Sequence, residues 1–183
     1  MSLTAIILAG GKSTRMGKDK AFIQWKGKSF IQHSIDAVIQ LTDTILLSGD
    51  EQRLSRFRFE VVEDLEEGKG PVNGLASCFE KVKTEYALVL SCDVPQIAMQ
   101  DLKYLMSEHS DNVDVTCYKY KGKSMPLIGV YNASAFPTFK NAIENGERKL
   151  FSVLGKLKVK SIEYKGVDGL MNINSPEDFK ELV

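Results

Sequence analysis

Between Leu8 and Lys20 the chain reads LAGGKSTRMGKDK, straight after the apolar run TAII. Gly10, Gly11 and Gly17 stand there among Lys12, Arg15, Lys18 and Lys20. Glycines that follow a strand let backbone N–H groups approach a polyanion where a Cβ would block them. An arginine holds phosphate oxygens in a planar fork, and a lysine serves as a point charge. The chemistry on offer is capture of a phosphate chain by a loop; a basic, glycine-rich surface turn is the plainer reading of the same residues. The helix expected to begin near Ser29 lies too far along to supply its N-terminus, so the loop itself must wrap the anion. Two familiar nucleotide motifs fail. GKS at Gly11–Ser13 has Ile6 where a Walker A loop needs its first glycine, and the adjacent Gly10 and Gly11 break the G-x-G-x-x-G spacing.

Other candidates are scattered. YALVLSCD ends on Asp93, at what a parallel sheet would make its carboxyl edge, where open α/β folds bind ligands. Spacing alone leaves Asp93 a turn residue before Val94–Pro95. Asn172 and Asn174 in NIN precede Ser175, where asparagine commonly caps a helix. In NGERKL, Arg148 and Lys149 read equally as a solvated turn or as a pair facing an anion. His33 and His109 have no ligand-spaced partner and are expected to be structural or on the surface. Cys92 reads as a small buried residue, and Trp25 as packing in a hairpin.

Charge is balanced, with Lys+Arg 24 and Asp+Glu 24, which argues against nucleic acid and for a small, locally held anion. The balance hides two blocks. Residues 1–28 carry six cations against Asp19 alone, and residues 60–67 carry Glu60, Glu63, Asp64, Glu66 and Glu67. Opposed blocks suggest a site with two electrostatic characters, although two solvated loops would look the same. The odd set Cys78, Cys92 and Cys117, with no C-x-x-C pair, points away from disulfides and structural zinc and toward a reducing cytosol. The first apolar run is too short for a signal peptide and no stretch is long enough to span a bilayer, so a cytoplasmic chain with no membrane partner is expected.

These residues need elements to position them. Runs rich in β-branched residues recur at LTAIILA, DTILLSG, EVVED, YALVLSCD, VDVTCYKY and PLIGVYN, with LKVKSIEY weaker. Helical patterns lie between many of them: SFIQHSIDAVIQL sets Phe30, Ile31, Ser34, Ile35, Val38 and Leu41 on one face, and VNGLASCFEKV, QDLKYLMSEH and PTFKNAIENG follow. In NINSPEDFKEL, Ser175 is an N-cap, Pro176 takes the first helical position and Asp178 completes a capping box. With 43% hydrophobic residues over 183 positions, the expectation is one α/β domain: a three-layer αβα sandwich around a mostly parallel, Rossmann-like sheet.

LAGGKSTRMGKDKAFIQWKGKSFIQHSIDAV resembles the opening of the molybdenum cofactor guanylyltransferases (MobA proteins), within the nucleotidyltransferases of the glycosyltransferase-A type. Their L-A-G-G-x-S-x-R-M-G-x-D-K signature is matched at every fixed position from Leu8 to Lys20. VVEDLEEGKGPVNGL, LVLSCDVPQI, MPLIGVYN and NINSPEDF are similar to four further family segments, in the same order.

The resemblance implies transfer of GMP from GTP to the terminal phosphate of molybdopterin, with Mg²⁺ as cofactor and pyrophosphate released. Residues 1–95 would form the nucleotide half and 96–183 the acceptor half. Leu8, Ala9, Gly10 and Gly11 would hold the nucleotide through backbone groups, and Arg15 and Lys20 would clamp the β- and γ-phosphates. Asp93, with Asn174 as second contact, would hold the metal. Asp64 would accept the adjacent N1–H and N2–H₂ of guanine, beside Gly70. Arg148 and Asn172 would face the acceptor, residues from Met125 to Tyr131 would line its pterin side, and recipient molybdoenzymes or their chaperones would be partners. The departures are Ser48, where some relatives carry asparagine near the nucleoside, and GPVNG in place of the commoner G-P-L-A-G. Cytidylyl relatives read LAAG where this chain has LAGG, which favours guanine. A cytidylyltransferase for the same cofactor, a sugar-phosphate nucleotidyltransferase and a silent nucleotide-binding module are the alternatives.

Overall fold

A computed structural model describes residues 2–10, 19–64 and 70–182. Its first strand, β1 (Leu3–Leu8), is buried along its whole length, as a strand covered on both faces must be. Leu3, Ala5 and Ile7 join one cluster and Ile6 and Leu8 join another, because successive side chains point to opposite faces of a sheet. The first cluster takes in Ile31, Ile35 and Val38 of α1 (Phe30–Val38) and Leu102 and Leu105 of α4 (Met99–Ser107). The second takes in Val72, Leu75 and Phe79 of α3 (Pro71–Lys81), Phe139 and Ala142 of α5 (Phe136–Glu144) and Val153 of α6 (Leu150–Leu154). Helices therefore cover both faces, which is the three-layer arrangement the sequence suggests.

The main sheet has seven strands in the order β5-β4-β1-β6-β8-β7-β9. Around β1 lie β4 (Ile45–Ser48), β5 (Glu60–Val62) and β6 (Tyr86–Ser91), all parallel. β8 (Lys123–Asn132) enters antiparallel between β6 and β7 (Val115–Tyr120), and β9 (Val159–Glu163) pairs parallel with β7. The β7–β8 hairpin turns on Lys121 (φ 48°) and Gly122 (φ 78°), the two positive φ angles that a tight hairpin with the sheet's own twist requires. A small hairpin of β2 (Gln24–Trp25) and β3 (Lys28–Ser29) precedes α1.

The end of the chain returns to that hairpin. α7 (Pro176–Glu181) has the expected capping box, with Ser175 Oγ accepting from the Asp178 N–H and the Asp178 carboxylate accepting from the Ser175 N–H. Ile173 and Leu182 are buried with Phe30, and Trp25 and Phe179 pack against them. The Trp25 indole donates to the Leu182 carbonyl at 3.3 Å, so Trp25 ties the hairpin to α7 as well as packing within it. No helix among the described residues is long and apolar enough to cross a membrane.

Candidate active site

Leu8 pairs in register with Ser48 on one side and Ser91 on the other, so three parallel strands end at one level. At about 4.8 Å per strand, Ser48 and Ser91 stand about 10 Å apart. Asp93 and Asp64 follow the strands that end on or beside this line, and Lys20 and Asn174 are brought to it from other elements.

On the β6 side, Asp93 follows the strand by two residues. Its Oδ1 accepts from the Ser91 hydroxyl at 2.6 Å, and its Oδ2 lies 3.8 Å from Lys20 Nζ. Lys20 Nζ also donates to Asn174 Oδ1 at 2.5 Å. The Lys20 and Asp93 side chains retain only 19% and 18% of their exposure, and residues 73 positions apart in sequence thus meet in one crevice. Burial pushes the Asp93 carboxyl above the ordinary aspartate range, against the opposing effects of the Ser91 hydroxyl, the Lys20 charge and a hydrogen bond from Asn172.

Each of these groups is held by its own element. Asp19 caps the 3₁₀ turn Lys20–Phe22 through Ala21 N at 3.2 Å. Its Oδ2 lies 2.6 Å from Nη1 of Arg53, on the short helix α2 (Glu51–Leu54) that follows β4. The Arg56 guanidinium lies 4.1 Å from the Phe22 ring centre, bracing the same turn. The asparagines are fixed by the stretch between them: Ile173 N donates to the Asp93 carbonyl at 2.8 Å, and Asn174 N donates to Asp178.

On the β4 side, the Ser48 hydroxyl reaches Asp64 Oδ1 at 3.4 Å, and burial raises the Asp64 carboxyl while that contact lowers it. Gly74 on α3 faces both: a Cβ there would lie 2.7 Å from Ser48 Oγ and 3.1 Å from Asp64 Oδ1. Beyond Gly74, burial drives the Cys78 thiol up to about 12, an inert group beside Ser48. Gly70 begins α3 at φ 83° and Pro71 takes the first helical position, so the Gly-Pro pair makes the sharp entry that a residue with a Cβ would resist.

Beside Asp93 opens a cavity of about 290 Å³. Ser91, Asp93 and Asn172 line its polar end, and Met125, Leu150 and Phe151 are among its apolar walls. Phe151 stays 65% exposed at this cavity. Arg148 and Lys149 are exposed two residues and one residue before Leu150, with both backbone N–H groups donating to Glu147 Oε1.

The structure thus gathers Lys20, Asp93, Asn172 and Asn174 on one side, and Ser48 and Asp64 on the other, with Leu8, Ala9 and Gly10 between. Arg15 and Gly11, with Lys12, Lys18, Glu66 and Glu67, lie outside the described residues. His33 binds the Trp25 carbonyl and His109 binds Thr116 Oγ1, both structural contacts, and Cys78, Cys92 and Cys117 are free and buried. Sequence reasoning missed Ser91, Arg53 and Gly74. A hydroxyl two residues before a strand-end aspartate was a usable signal for Ser91. Arg53 and Gly74 depend on pairings between distant segments.

Among the described residues no three His, Cys, Asp or Glu side chains gather as a metal cluster. What does gather is one carboxylate oxygen and one amide oxygen, both turned toward a single cationic point, the Lys20 ammonium. Such a sparse, hard-oxygen pair fits Mg²⁺, which keeps much of its coordination for water and phosphate.

A mostly parallel α/β sheet that sets a lysine, a carboxylate and two amides beside the carboxyl ends of its central strands, where the strand order reverses between β1 and β6, has the form of an enzyme that handles nucleotides at a topological switch point. The comparisons make that class specific. The chain belongs to the family of the MobA-like NTP transferase domain, whose model matches residues 5–160. It is 35% identical to a protein of Flavobacterium johnsoniae named as a probable molybdenum cofactor guanylyltransferase, over 99% of this chain and 96% of that one. It is 28% identical to the molybdenum cofactor guanylyltransferase of Campylobacter jejuni, over 98% and 94%. In fold it is similar to the crystal structure of molybdopterin-guanine dinucleotide biosynthesis protein A from Archaeoglobus fulgidus, with TM-score 0.84, 24% identity and coverage of 98% and 96%. The protein is a nucleotidyltransferase.

Proposed function

We propose that this chain transfers GMP from GTP to the terminal phosphate of molybdopterin, releasing pyrophosphate in a reaction that depends on Mg²⁺. The observation that carries the reading is the meeting of Lys20, Asp93 and Asn174 at one end of the strand line, with the Ser48–Asp64 pair at the other. Such a line suits one ligand with a hydrogen-bond-donating base for the carboxylate and a polyanionic tail for the lysine. Residues 1–95 make the nucleotide side and 96–183 the acceptor side.

The acceptor is a phosphate monoester, anionic at neutral pH because its second pKa is about 6, so it needs no dedicated general base. Its oxygen forms a bond to the α-phosphorus of GTP as the bond from that phosphorus to the bridging oxygen breaks, and pyrophosphate leaves with the electron pair. The enzyme's task is to hold several anions together and stabilise the charge that departs. Lys20 and Arg15 take the β- and γ-phosphates. The backbone of Leu8, Ala9, Gly10 and Gly11 approaches the nucleotide. Asp64, steadied by Ser48 and approached along Gly70, accepts from the N1–H and N2–H₂ of guanine. Asp93 and Asn174 would hold Mg²⁺, which neutralises phosphate oxygens when bound. Asn172 and Arg148 meet the acceptor, and the apolar walls of the cavity beside Asp93 take the body of the pterin. The product passes to molybdoenzymes or their chaperones, and three buried free thiols suit a cytoplasmic setting.

The test is a nucleotide panel with Mg²⁺ and a molybdopterin acceptor, scored for dinucleotide and pyrophosphate. GTP alone should give both products, and equal turnover with CTP would refute the base assignment. The same panel run on Asp64→Asn should lose its preference for GTP.

A further inference from the structure

The oxygens read above as the metal-holding pair are both turned toward the Lys20 ammonium. We propose that Lys20 is the resting occupant of this cation position, and that a divalent metal reaches Asp93 and Asn174 only as a triphosphate draws the lysine away. The site thereby admits metal and triphosphate together and discriminates against metal alone. This rests on the reading of Asp93 and Asn174 as the metal-holding pair.

The geometry separates what is fixed from what can move. Asp93 is pinned through its carbonyl by Ile173 N at 2.8 Å and through its carboxylate by Ser91 at 2.6 Å. Asn174 is pinned through its own N–H by Asp178 at 2.8 Å. The main chain of Lys20 is held by the Asp19 cap, itself clamped by Arg53. Between these fixed points the ammonium rides on a flexible four-carbon stem. It is bonded to Asn174 Oδ1 at 2.5 Å and lies 3.8 Å from Asp93 Oδ2. A divalent ion arriving alone must share one carboxylate with an ammonium at close range, in a crevice where like charges are poorly screened. A triphosphate changes both sides of that balance: it supplies oxygens to the metal and a stronger anion for the lysine. Coupling of this kind is reciprocal, so metal must tighten triphosphate binding by the same factor.

The test uses Mn²⁺ as the probe, its free concentration followed by electron paramagnetic resonance during titration of the full chain. Without nucleotide the wild type should bind Mn²⁺ weakly, and Lys20→Met should bind it about tenfold tighter or more, within the usual span of coupled sites. Lys20→Gln should behave like Lys20→Met. The gain should persist from about 0.05 M to about 0.5 M salt, since direct competition for ligands is not screened as a distant field is. Adding Asp93→Asn to Lys20→Met should abolish the gain. If Lys20→Met binds Mn²⁺ no better than wild type while Asp93→Asn still weakens it, the metal site stands and the resting-occupant proposal fails. The proposal fails equally if the gain vanishes at high salt. If Asp93→Asn leaves Mn²⁺ binding untouched in every background, the assignment of the metal pair is wrong and the proposal goes with it.

Discussion

Gly74 lies within α3, where exchanging glycine for alanine ordinarily stabilises a helix by about 1 kcal/mol. The structure gives the opposite sign. An alanine Cβ at this position would stand 2.7 Å from Ser48 Oγ and 3.1 Å from Asp64 Oδ1, and ordinary contact begins near 3.4 Å. The serine hydroxyl must retreat by about 0.7 Å and the carboxylate by about 0.3 Å, in a place walled by the buried strand β4 and by Leu8. Overpacking of this kind costs about 1–3 kcal/mol. Gly74→Ala should therefore be neutral to about 2 kcal/mol less stable than wild type. Removing the obstructing hydroxyl with Ser48→Ala should release the helix propensity, so the second substitution should rescue the first, with a coupling of about 1–2 kcal/mol between neighbouring sites. Chemical denaturation of the four proteins measures the cycle, and nucleotide binding on the same four reads the function. A shift of about 1 Å in a positioning group costs up to about 100-fold, so Gly74→Ala should lower discrimination for guanine by about tenfold. A Gly74→Ala protein stabilised by about 1 kcal/mol in the wild-type background, or effects of the two substitutions that simply add, would refute the clash.

Three further outcomes follow from the site. In the proposed reaction Asp93 acts as a carboxylate, and burial holds its pKa above the usual value of about 3.9; the acid limb of kcat/KM should lie above that value. Ser91→Ala, by removing a donor that favours the charged form, should move the limb to higher pH, and a downward move would contradict the geometry. Arg53→Ala breaks a half-exposed ion pair worth about 0–1 kcal/mol, so denaturation should barely register it while KM for the triphosphate rises about tenfold as the Lys20 turn loosens. Ile173→Ala removes a fully buried side chain at a cost of about 2–5 kcal/mol. Because that side chain anchors the last segment, hydrogen exchange at residues 172–182 should accelerate far more than in β1 or β6.

Much of this architecture was legible in the sequence because local rules sufficed. The β-branched runs became strands, Ser175, Pro176 and Asp178 formed the expected cap, and Asp93 lies where a strand-end residue of a parallel sheet must lie. What could not be read locally was the insertion of β8 antiparallel between β6 and β7. A strand buried on both faces carries the same apolar pattern in either direction, so only the tight turn at Lys121–Gly122 betrays the hairpin. The candidate site divides the same way. Asp93 and Lys20 announced themselves through motifs, whereas the part of Arg53 depends on α2 folding back onto the turn after residue 18. The part of Gly74 is set by how closely α3 approaches β4, which is a property of packing and leaves no mark in the spacing of residues.

The stitch from Ile173 N to the Asp93 carbonyl joins positions 80 residues apart. Every strand of the described sheet lies before Asn172, so the sheet can be complete while the asparagine pair is still undocked. In that state the lysine and aspartate are in place but the amide that meets them is missing, so the site as proposed is incomplete. The docking of α7 against the first hairpin is then the step that completes the proposed site.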